Sequence, residues 1–280
     1  MDRSLIVNAD DFGRSEAVNS GVAEAFCRGI VTSTSIVANS PAFAHAVALV
    51  SGLKGLGIGI HLAADEYRPL LPPRTIPSLV TADGRFLRRS LLFLKMAVDR
   101  RTGDDLLREW EAQISKVVKA GIQLTHIDGH GHCHAHPRAA RIVLELAKRY
   151  RIERVRLPIE AIIWRPDRLS ASRMAAKLVV TLACQPARRT WRGRLPFATR
   201  FYGFSDAGGV TRALIRRIAE VAPPGVSELM VHVGASNDEA AGFWTGYDWK
   251  GDLDAVTAFT KDEFQKQFGV ALVTHCGGGA

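Results

Sequence analysis

Short apolar runs of β-forming residues alternate with longer segments of helical periodicity along most of the chain. The runs at 4–8, 57–62 and 124–128 are typical of buried strands, and 16–29 and 137–150 repeat apolar residues with helical spacing. This alternation predicts a parallel sheet with helices packed outside it. Because one α/β barrel commonly fills a length near 280 residues, we predict an α/β fold, a single-domain TIM-like (β/α) barrel that is distorted or seven-stranded.

The remaining segments fit the same alternation. They predict further helices over 41–51, 87–100, 104–120, 211–221 and 252–268, further strands over 32–38, 154–157, 228–233 and 270–274, and a proline-rich loop over 63–85. No domain boundary interrupts them, so residues 1–280 are predicted to form one domain.

One segment differs from the rest in charge. Residues 160–200 contain nine Lys or Arg against Glu160 and Asp167, and so supply seven of the nine net positive charges. Tryptophan and aliphatic residues are interleaved with these cations. We interpret the segment as a basic amphipathic insertion, either a membrane-interface element or a solvated basic helix pair.

Unusual polar residues follow the predicted strands. Asp10 and Asp11 follow the first strand, His61 closes the third, and His232 ends a late one. Because the carboxyl ends of parallel barrel strands open onto one face, these side chains are predicted to meet in one site. The two adjacent aspartates would serve two roles, one binding a metal and the other accepting a proton, although one of them could instead cap the next helix. His61 and His232 taken alone would be ordinary core histidines.

The strongest local signal is a histidine-rich tract after the central strand. Five of the nine histidines lie between 126 and 136. Imidazole is a common ligand of catalytic zinc, and Asp/His ligand sets leave a coordination position open for water. These histidines cannot all be ligands, so Asp128 and some of them are predicted to orient the ligands. Spacing alone does not choose among them.

Three ordered motifs carry a resemblance to a known family. Val7-Asn8-Ala9-Asp10-Asp11-Phe12-Gly13, Gly59-Ile60-His61-Leu62 and Thr125-His126-Ile127-Asp128-Gly129-His130 resemble the signatures of the YdjC-like carbohydrate deacetylases. Finer motifs, among them Val155-Arg156-Leu157-Pro158 and Phe201-Tyr202-Gly203-Phe204-Ser205, resemble the hopanoid-biosynthesis-associated branch of that family. The chain departs from the family at Val233, where a proline usually follows the late-strand histidine.

The resemblance implies a metal-dependent N-deacetylase with one divalent ion. It makes Asp11, His61 and His130 the metal ligands, Asp10 the general base and His232 the candidate general acid. The remaining polar residues near the motifs are expected to support the ligands or to contact substrate: Asn8, His126, Asp128, His132 and His134. Zinc is the first choice from the ligand types, with magnesium or another transition metal as alternatives.

The resemblance also implies the substrate. The branch is expected to remove the N-acetyl group from an N-acetylglucosaminyl hopanoid, a bacteriohopanetetrol-linked amphipathic glycolipid, with release of acetate. A soluble chitooligosaccharide such as diacetylchitobiose is the alternative substrate. From other classes, a non-catalytic metal- or sugar-binding barrel remains open. So does a metal-dependent phosphatase or nuclease, although such enzymes commonly use two metals and more bridging carboxylates.

Composition sets the expected location and partners. The first apolar run is too short for a signal peptide, and no later run could span a bilayer, so a soluble cytoplasmic protein is expected. Residues 160–200 would suit an anionic membrane surface, which would place the protein peripherally at the inner face of the cytoplasmic membrane. Outside that segment the chain is nearly neutral, which argues against nucleic acid as a partner. A homodimer is compatible with the sequence.

Overall fold

The computed structural model describes residues 2–161, 163, 178, 180–238 and 246–277. Within these residues eight parallel strands form one sheet in the order β5-β4-β3-β2-β1-β7-β6, with β8 also paired to β1. The strands are β1 Arg3–Phe12, β2 Ser33–Ile36, β3 Gly57–Leu62, β4 His126–Gly129, β5 Arg154–Val155, β6 Arg200–Tyr202, β7 Gly225–Val231 and β8 Ala271–Leu272.

The sheet curls into a half-barrel. The segment after β5 reaches the opposite edge of the sheet, where Glu160 forms a parallel bridge with Phe201 of β6. The α/β class predicted from the sequence is therefore confirmed, and the single curled domain is consistent with a distorted TIM-like barrel.

Helices cover the outside of the sheet, and side-chain caps start several of them. Ser15 and Thr211 each accept a hydrogen bond from the backbone N–H three residues later, which satisfies a donor that a helix start leaves open. The helices are α1 Glu16–Arg28, α2 Phe43–Val50, α3 Arg89–Val98, α4 Arg100–Lys119, α5 Pro137–Tyr150, α6 Gln185–Trp191, α7 Arg212–Val221, α8 Trp249–Thr257 and α9 Lys261–Phe268. None of the helices in the described ranges is both long and apolar enough to cross a membrane.

One helix of the prediction is wrong in extent. The helical segment predicted over 252–268 is divided into α8 and α9. Thr260 and Glu263 form a reciprocal capping box at the start of α9. A capping box satisfies two backbone N–H donors at the start of a helix, so it favours a new helix start at this point. The apolar periodicity of the sequence continues across the break and does not reveal it.

The first strand is longer than predicted and contains a bulge. β1 continues to Phe12, and its register with β2 shifts between Ala9 and Phe12. Asp11 has a φ of 68° there. The prediction that Asp10 and Asp11 follow the strand is therefore wrong: both lie inside β1, where the bulge re-aims successive side chains.

The insertion at 160–200 is described only in part. Residues 162, 164–177 and 179, which carry much of the predicted amphipathic pattern, lie outside the described residues. The part that is described contains α6, and the three-residue strand β6 begins at the last residue of the insertion, Arg200; the sequence pattern predicted neither element.

The C-terminal segment after β8 crosses the end of the sheet where the strands begin. Thr274 lies against Gly57 at the start of β3. His275 stacks on His126 at the start of β4, with ring centroids 3.6 Å apart. This segment covers the barrel at that end, so an accessible site is expected at the opposite end, where the strands finish.

Candidate active site

A cavity of about 270 Å³ opens at the carboxyl ends of the strands. It brings together all five residues predicted for metal binding and acid–base chemistry, together with one further histidine of the 126–136 tract: Asp10, Asp11, His61, His130, His132 and His232. They come from β1, from β3, from the 3₁₀ turn after β4 and from the end of β7. Convergence of these residues on one rim is what the parallel arrangement predicted.

Asp10 is buried and held by an arginine. Both of its carboxylate oxygens accept hydrogen bonds from Arg156, at 2.6 and 2.7 Å. The Asn8 amide donates to Asp10 Oδ1 at 2.9 Å. Burial would raise the pKa of Asp10, but Arg156 outweighs it and holds the pKa well below the usual carboxyl value. Asp10 is therefore ionised and fixed in orientation.

Arg156 is the main site residue that the sequence reasoning missed. It is fully buried and pairs with three carboxylates, those of Asp10, Asp128 and Glu228. In the sequence it stood out only as part of a branch motif. Its position at the carboxyl end of β5 was the available signal, because the other functional side chains also lie at or near the carboxyl ends of their strands.

His61 lies between two aspartates. Its Nδ1 is 2.8 Å from Asp128 Oδ1, and its Nε2 is 3.6 Å from Asp11 Oδ1. Asp128 also accepts a hydrogen bond from the Ser35 hydroxyl. Burial would lower the pKa of His61, but Asp128, Asp10 and Asp11 together raise it. A carboxylate on Nδ1 fixes the imidazole and directs Nε2 into the cavity.

His130 is flanked by two acidic residues of the predicted proline-rich loop, neither of which was predicted to belong to the site. Its Nδ1 contacts Asp65 at 2.9 Å and its Nε2 contacts Glu66 at 2.8 Å. Burial would lower the pKa of His130, but these hydrogen bonds raise it to about 10. The rings of His130 and His61 meet edge to face, with centroids 5.8 Å apart.

His232 follows the last residue of β7 and is packed between aromatic rings. Its ring lies 5.0 Å from that of Tyr247 and 5.7 Å from that of Trp249, centroid to centroid. Its backbone N–H donates to Asp252 at 3.0 Å. Burial lowers the pKa of the His232 imidazole, although Asp10 and Asp11 act in the opposite direction.

The other histidines of the tract occupy different places. His132 lines the cavity and packs against Phe201 and Phe204. His134 lies outside the cavity lining, where its Nε2 is 2.9 Å from the Arg156 carbonyl oxygen. His126 also lies outside the lining, under its stack with His275. Burial lowers the pKa of all three imidazoles, so they are neutral.

One grouping of side chains in the described part of the chain has the geometry of a metal site. Among the described residues, Asp10, His61 and Asp128 place ligand-type atoms within 4.8 Å of one another. The cation of Arg156, however, already pairs with both of those carboxylates and would repel a divalent ion. Asp11 Oδ1 is buried, has no hydrogen-bond partner in the described part of the chain and faces His61 Nε2. Arg14 Nη1 lies 3.7 Å from Asp11 Oδ2, so both sides of His61 have an arginine nearby. The Asp11 side differs in offering a carboxylate oxygen, Oδ1, that no hydrogen bond occupies in the described residues.

The fold and the site together define a class, the parallel α/β barrels with a cluster of aspartates and histidines at the carboxyl ends of the strands. Residues 4–268 match the family model described as YdjC-like protein. The chain belongs to the YdjC-like family.

Two curated relatives carry the name carbohydrate deacetylase. The one from Brevibacillus brevis is 46% identical over 154 residues, which is 55% of this chain and 59% of the relative. The one from Geobacillus stearothermophilus is 44% identical over 170 residues, 60% of this chain and 64% of the relative. The chain thus spans about three fifths of the length of the curated relatives it matches.

A solved structure extends the likeness over nearly the whole fold. It is a putative cellobiose-phosphate cleavage protein from Enterococcus faecalis V583, with a TM-score of 0.77 and 25% identity over 98% of both chains. This similarity supports the single-domain barrel architecture from the first strand to the last.

Proposed function

We propose that this chain is a metal-dependent carbohydrate N-deacetylase. The observation that carries the proposal is the convergence of Asp10, Asp11, His61, His130 and His232 on one cavity in a member of the YdjC-like family. The name of the Brevibacillus brevis and Geobacillus stearothermophilus relatives, carbohydrate deacetylase, supports the same activity.

The residues on the Asp11 side of the site fit a divalent ion. Asp11 offers a buried oxygen without a hydrogen-bond partner among the described residues, and His61 offers Nε2. His130 carries a proton that its carboxylate neighbours stabilise, and a metal ion would take the place of that proton. We therefore assign Asp11, His61 and His130 as the ligands, with zinc preferred. When bound, such an ion polarises an amide carbonyl and acidifies a water molecule.

Asp10 would act as the general base. Arg156 keeps its carboxylate ionised and oriented, so that it accepts a proton from the water that attacks the acetyl carbon. The water oxygen first adds to the acetyl carbon, and the carbon–nitrogen bond then breaks, so that the products are acetate and a free amine. A base in this position contributes about 10²–10⁴-fold to the rate.

His232 would act as the general acid that protonates the leaving amine. It lines the same cavity as Asp10 and His61, and its ring is held in place by Tyr247 and Trp249. Its lowered pKa makes the imidazolium form the minor one at rest. The protonated imidazolium would give its proton to the amine nitrogen as the carbon–nitrogen bond breaks, because an amine leaves poorly without one.

We further propose an N-acetylglucosaminyl hopanoid as the substrate, on the strength of the branch motifs in the sequence. A soluble chitooligosaccharide is the second candidate, and the name of the Enterococcus faecalis protein of similar fold, which refers to a disaccharide phosphate, favours a small soluble sugar. The basic segment 160–200 remains a candidate membrane contact, since Leu178 and Leu182 within it are 59% and 62% exposed.

Acetate release tests the proposed function. Purified protein of known metal content is given an N-acetylglucosaminyl hopanoid in detergent and, separately, diacetylchitobiose. Turnover of either substrate, lost in Asp10→Asn while bound metal is retained, supports the deacetylase and identifies its substrate. Acetate from neither, with metal bound, would favour a non-catalytic binding barrel.

A further inference from the structure

Helix α3 buries one apolar face and exposes another. Leu92 and Met96 are fully buried. Leu91, Leu94 and Val98 are 42%, 58% and 74% exposed. An exposed apolar side chain is ordinary when it stands alone, but three on one short helix form a patch that calls for a partner.

The three exposed residues form a continuous ridge. Their spacing of three and then four residues places Leu91, Leu94 and Val98 on one side of the helix, facing away from Leu92 and Met96. α3 is thus apolar on two faces, and the barrel covers only one of them.

The ridge begins beside the cavity. Arg89, the first residue of α3, lines the cavity and contacts Asp65 and His130. With a rise of about 1.5 Å per residue, Leu91 lies about 3 Å and Val98 about 14 Å along the helix axis from Arg89. A partner that covered this ridge would therefore lie next to the entrance of the site.

The sequence around the ridge carries a net positive charge, although Arg85 pairs with Asp83 and Arg89 with Asp65. Residues 85–101 contain six Lys or Arg and a single acidic residue, Asp99. Four of the cations are exposed at the two ends of the helix: Arg85, Arg88, Arg100 and Arg101. Exposed leucines between clusters of arginine are the composition of an element that lies in the interface of an anionic membrane.

We propose that the outer face of α3 docks on an anionic lipid surface and so holds the cavity against it. A symmetric contact with a second copy would bring the same cations face to face, which like-charge repulsion opposes. This surface is made of different residues from those of the 160–200 segment. The docking proposal depends on the proposed function only for its biological purpose, which is to present a membrane-held glycolipid to the site.

Co-sedimentation with lipid vesicles tests the proposal without reference to catalysis. The vesicles are phosphatidylcholine with phosphatidylglycerol, with pure phosphatidylcholine for comparison. The test variant is Leu94→Glu with Val98→Glu. The matched control is Val118→Glu with Val221→Glu, which changes two valines that are 45% and 41% exposed on other helices. A third variant, Leu178→Glu with Leu182→Glu, reports on the 160–200 segment. Thermal melting verifies that each variant is folded.

We expect the α3 variant to bind anionic vesicles at least about tenfold more weakly than the control variant. Equal binding of the two, no binding by the unchanged protein, or loss confined to the Leu178 and Leu182 variant would overturn the proposal. So would a shift from dimer to monomer in light scattering of the α3 variant, which would make the ridge a self-association surface. Acetate release from diacetylchitobiose, measured in parallel, tests the proposed function separately.

Discussion

Arg156 is a single buried cation shared by three carboxylates, and its replacement would leave their charges uncompensated. We expect Arg156→Met to lower the free energy of unfolding by about 3–5 kcal/mol, because it leaves three carboxylates buried without their positive partner. Urea unfolding measures the change.

Arg149 provides the control. It pairs with Glu111 and Glu145 at the surface, where solvent screens such pairs and they contribute little to stability. A similar loss in Arg149→Met and Arg156→Met would contradict the view that burial gives the Arg156 network its importance.

Asp252, which accepts a hydrogen bond from the His232 backbone N–H, is expected to make the stability of the protein depend on pH. Burial raises the pKa of its carboxyl to about 7. A carboxyl with a raised pKa binds its proton more tightly in the folded state, so its contribution to stability is complete below the unfolded pKa of 3.8 and is lost as the pH rises through about 7.

We expect the free energy of unfolding of the unchanged protein to fall between pH 5 and pH 8, relative to Asp252→Asn, by an amount on the order of 2–3 kcal/mol. Denaturant unfolding at both pH values measures this difference. Asp254→Asn, at an exposed position of the same helix, should behave like the unchanged protein. Parallel pH profiles for all three proteins would exclude a raised pKa at Asp252.

At the scale of elements, α1 packs directly on the segment that follows His232. A Cβ on Gly21 of α1 would lie 2.6 Å from the Cα of Gly234. Alanine gains about 1 kcal/mol over glycine as a helix former. The Gly234 backbone cannot move aside as the end of a side chain can, so we expect Gly21→Ala to destabilise the protein by about 1–3 kcal/mol. Because Gly234 follows His232 closely in the chain, we also expect turnover to fall.

Gly103 of α4 is the matched helical glycine. Its added Cβ would lie 3.0 Å from Arg138 Cδ, in a flexible side chain. We expect Gly103→Ala to be neutral or slightly stabilising in thermal unfolding. If both alanine variants had the same stability, the close packing of α1 on Gly234 would not limit this position.

Periodicity predicted some elements to the residue and missed others for identifiable reasons. β3 and α5 begin and end where the sequence placed them, because each has a clear pattern bounded by glycine or proline. β6 has only three residues and is defined by its pairing with β7, which no local pattern encodes. The proline at 41 was expected to begin a helix, yet α2 begins at Phe43.

The candidate site was predictable where its residues lie at the end of a strand. His61 and Asp128 lie at strand ends and were recognised. Asp65 and Glu66 reach His130 from a loop without periodicity, so only the folded structure reveals them. The resemblance to the family, rather than spacing, distinguished His130 from the neighbouring histidines.

At the scale of the whole molecule, the assigned metal ligands join three separate parts of the barrel. Asp11 belongs to β1, His61 to β3, and His130 to the turn after β4. An ion that binds only the folded state therefore stabilises the whole domain. We expect the melting temperature to rise on addition of zinc to chelator-treated protein, with about 2.7 kcal/mol gained at a free zinc concentration roughly 100 times Kd.

Asp11→Asn should abolish most of this shift, while Asp262→Asn, a change at the start of α9, should leave it intact. Differential scanning calorimetry gives the measurement. An unchanged zinc response in Asp11→Asn would remove Asp11 from the ligand set and favour the grouping of Asp10, His61 and Asp128.

Two independent requirements meet at position 11. The residue must adopt a left-handed backbone conformation, and it must supply a carboxylate if it is a metal ligand. Glycine, asparagine and aspartate adopt a positive φ at low cost, whereas longer side chains do so with strain. In a saturation library at position 11, a screen for well-expressed protein would enrich all three, and a screen for turnover would retain aspartate alone. Glutamate keeps the charge but would be depleted in both screens, so a substitution matrix that ranks it as the mildest change would be misleading here.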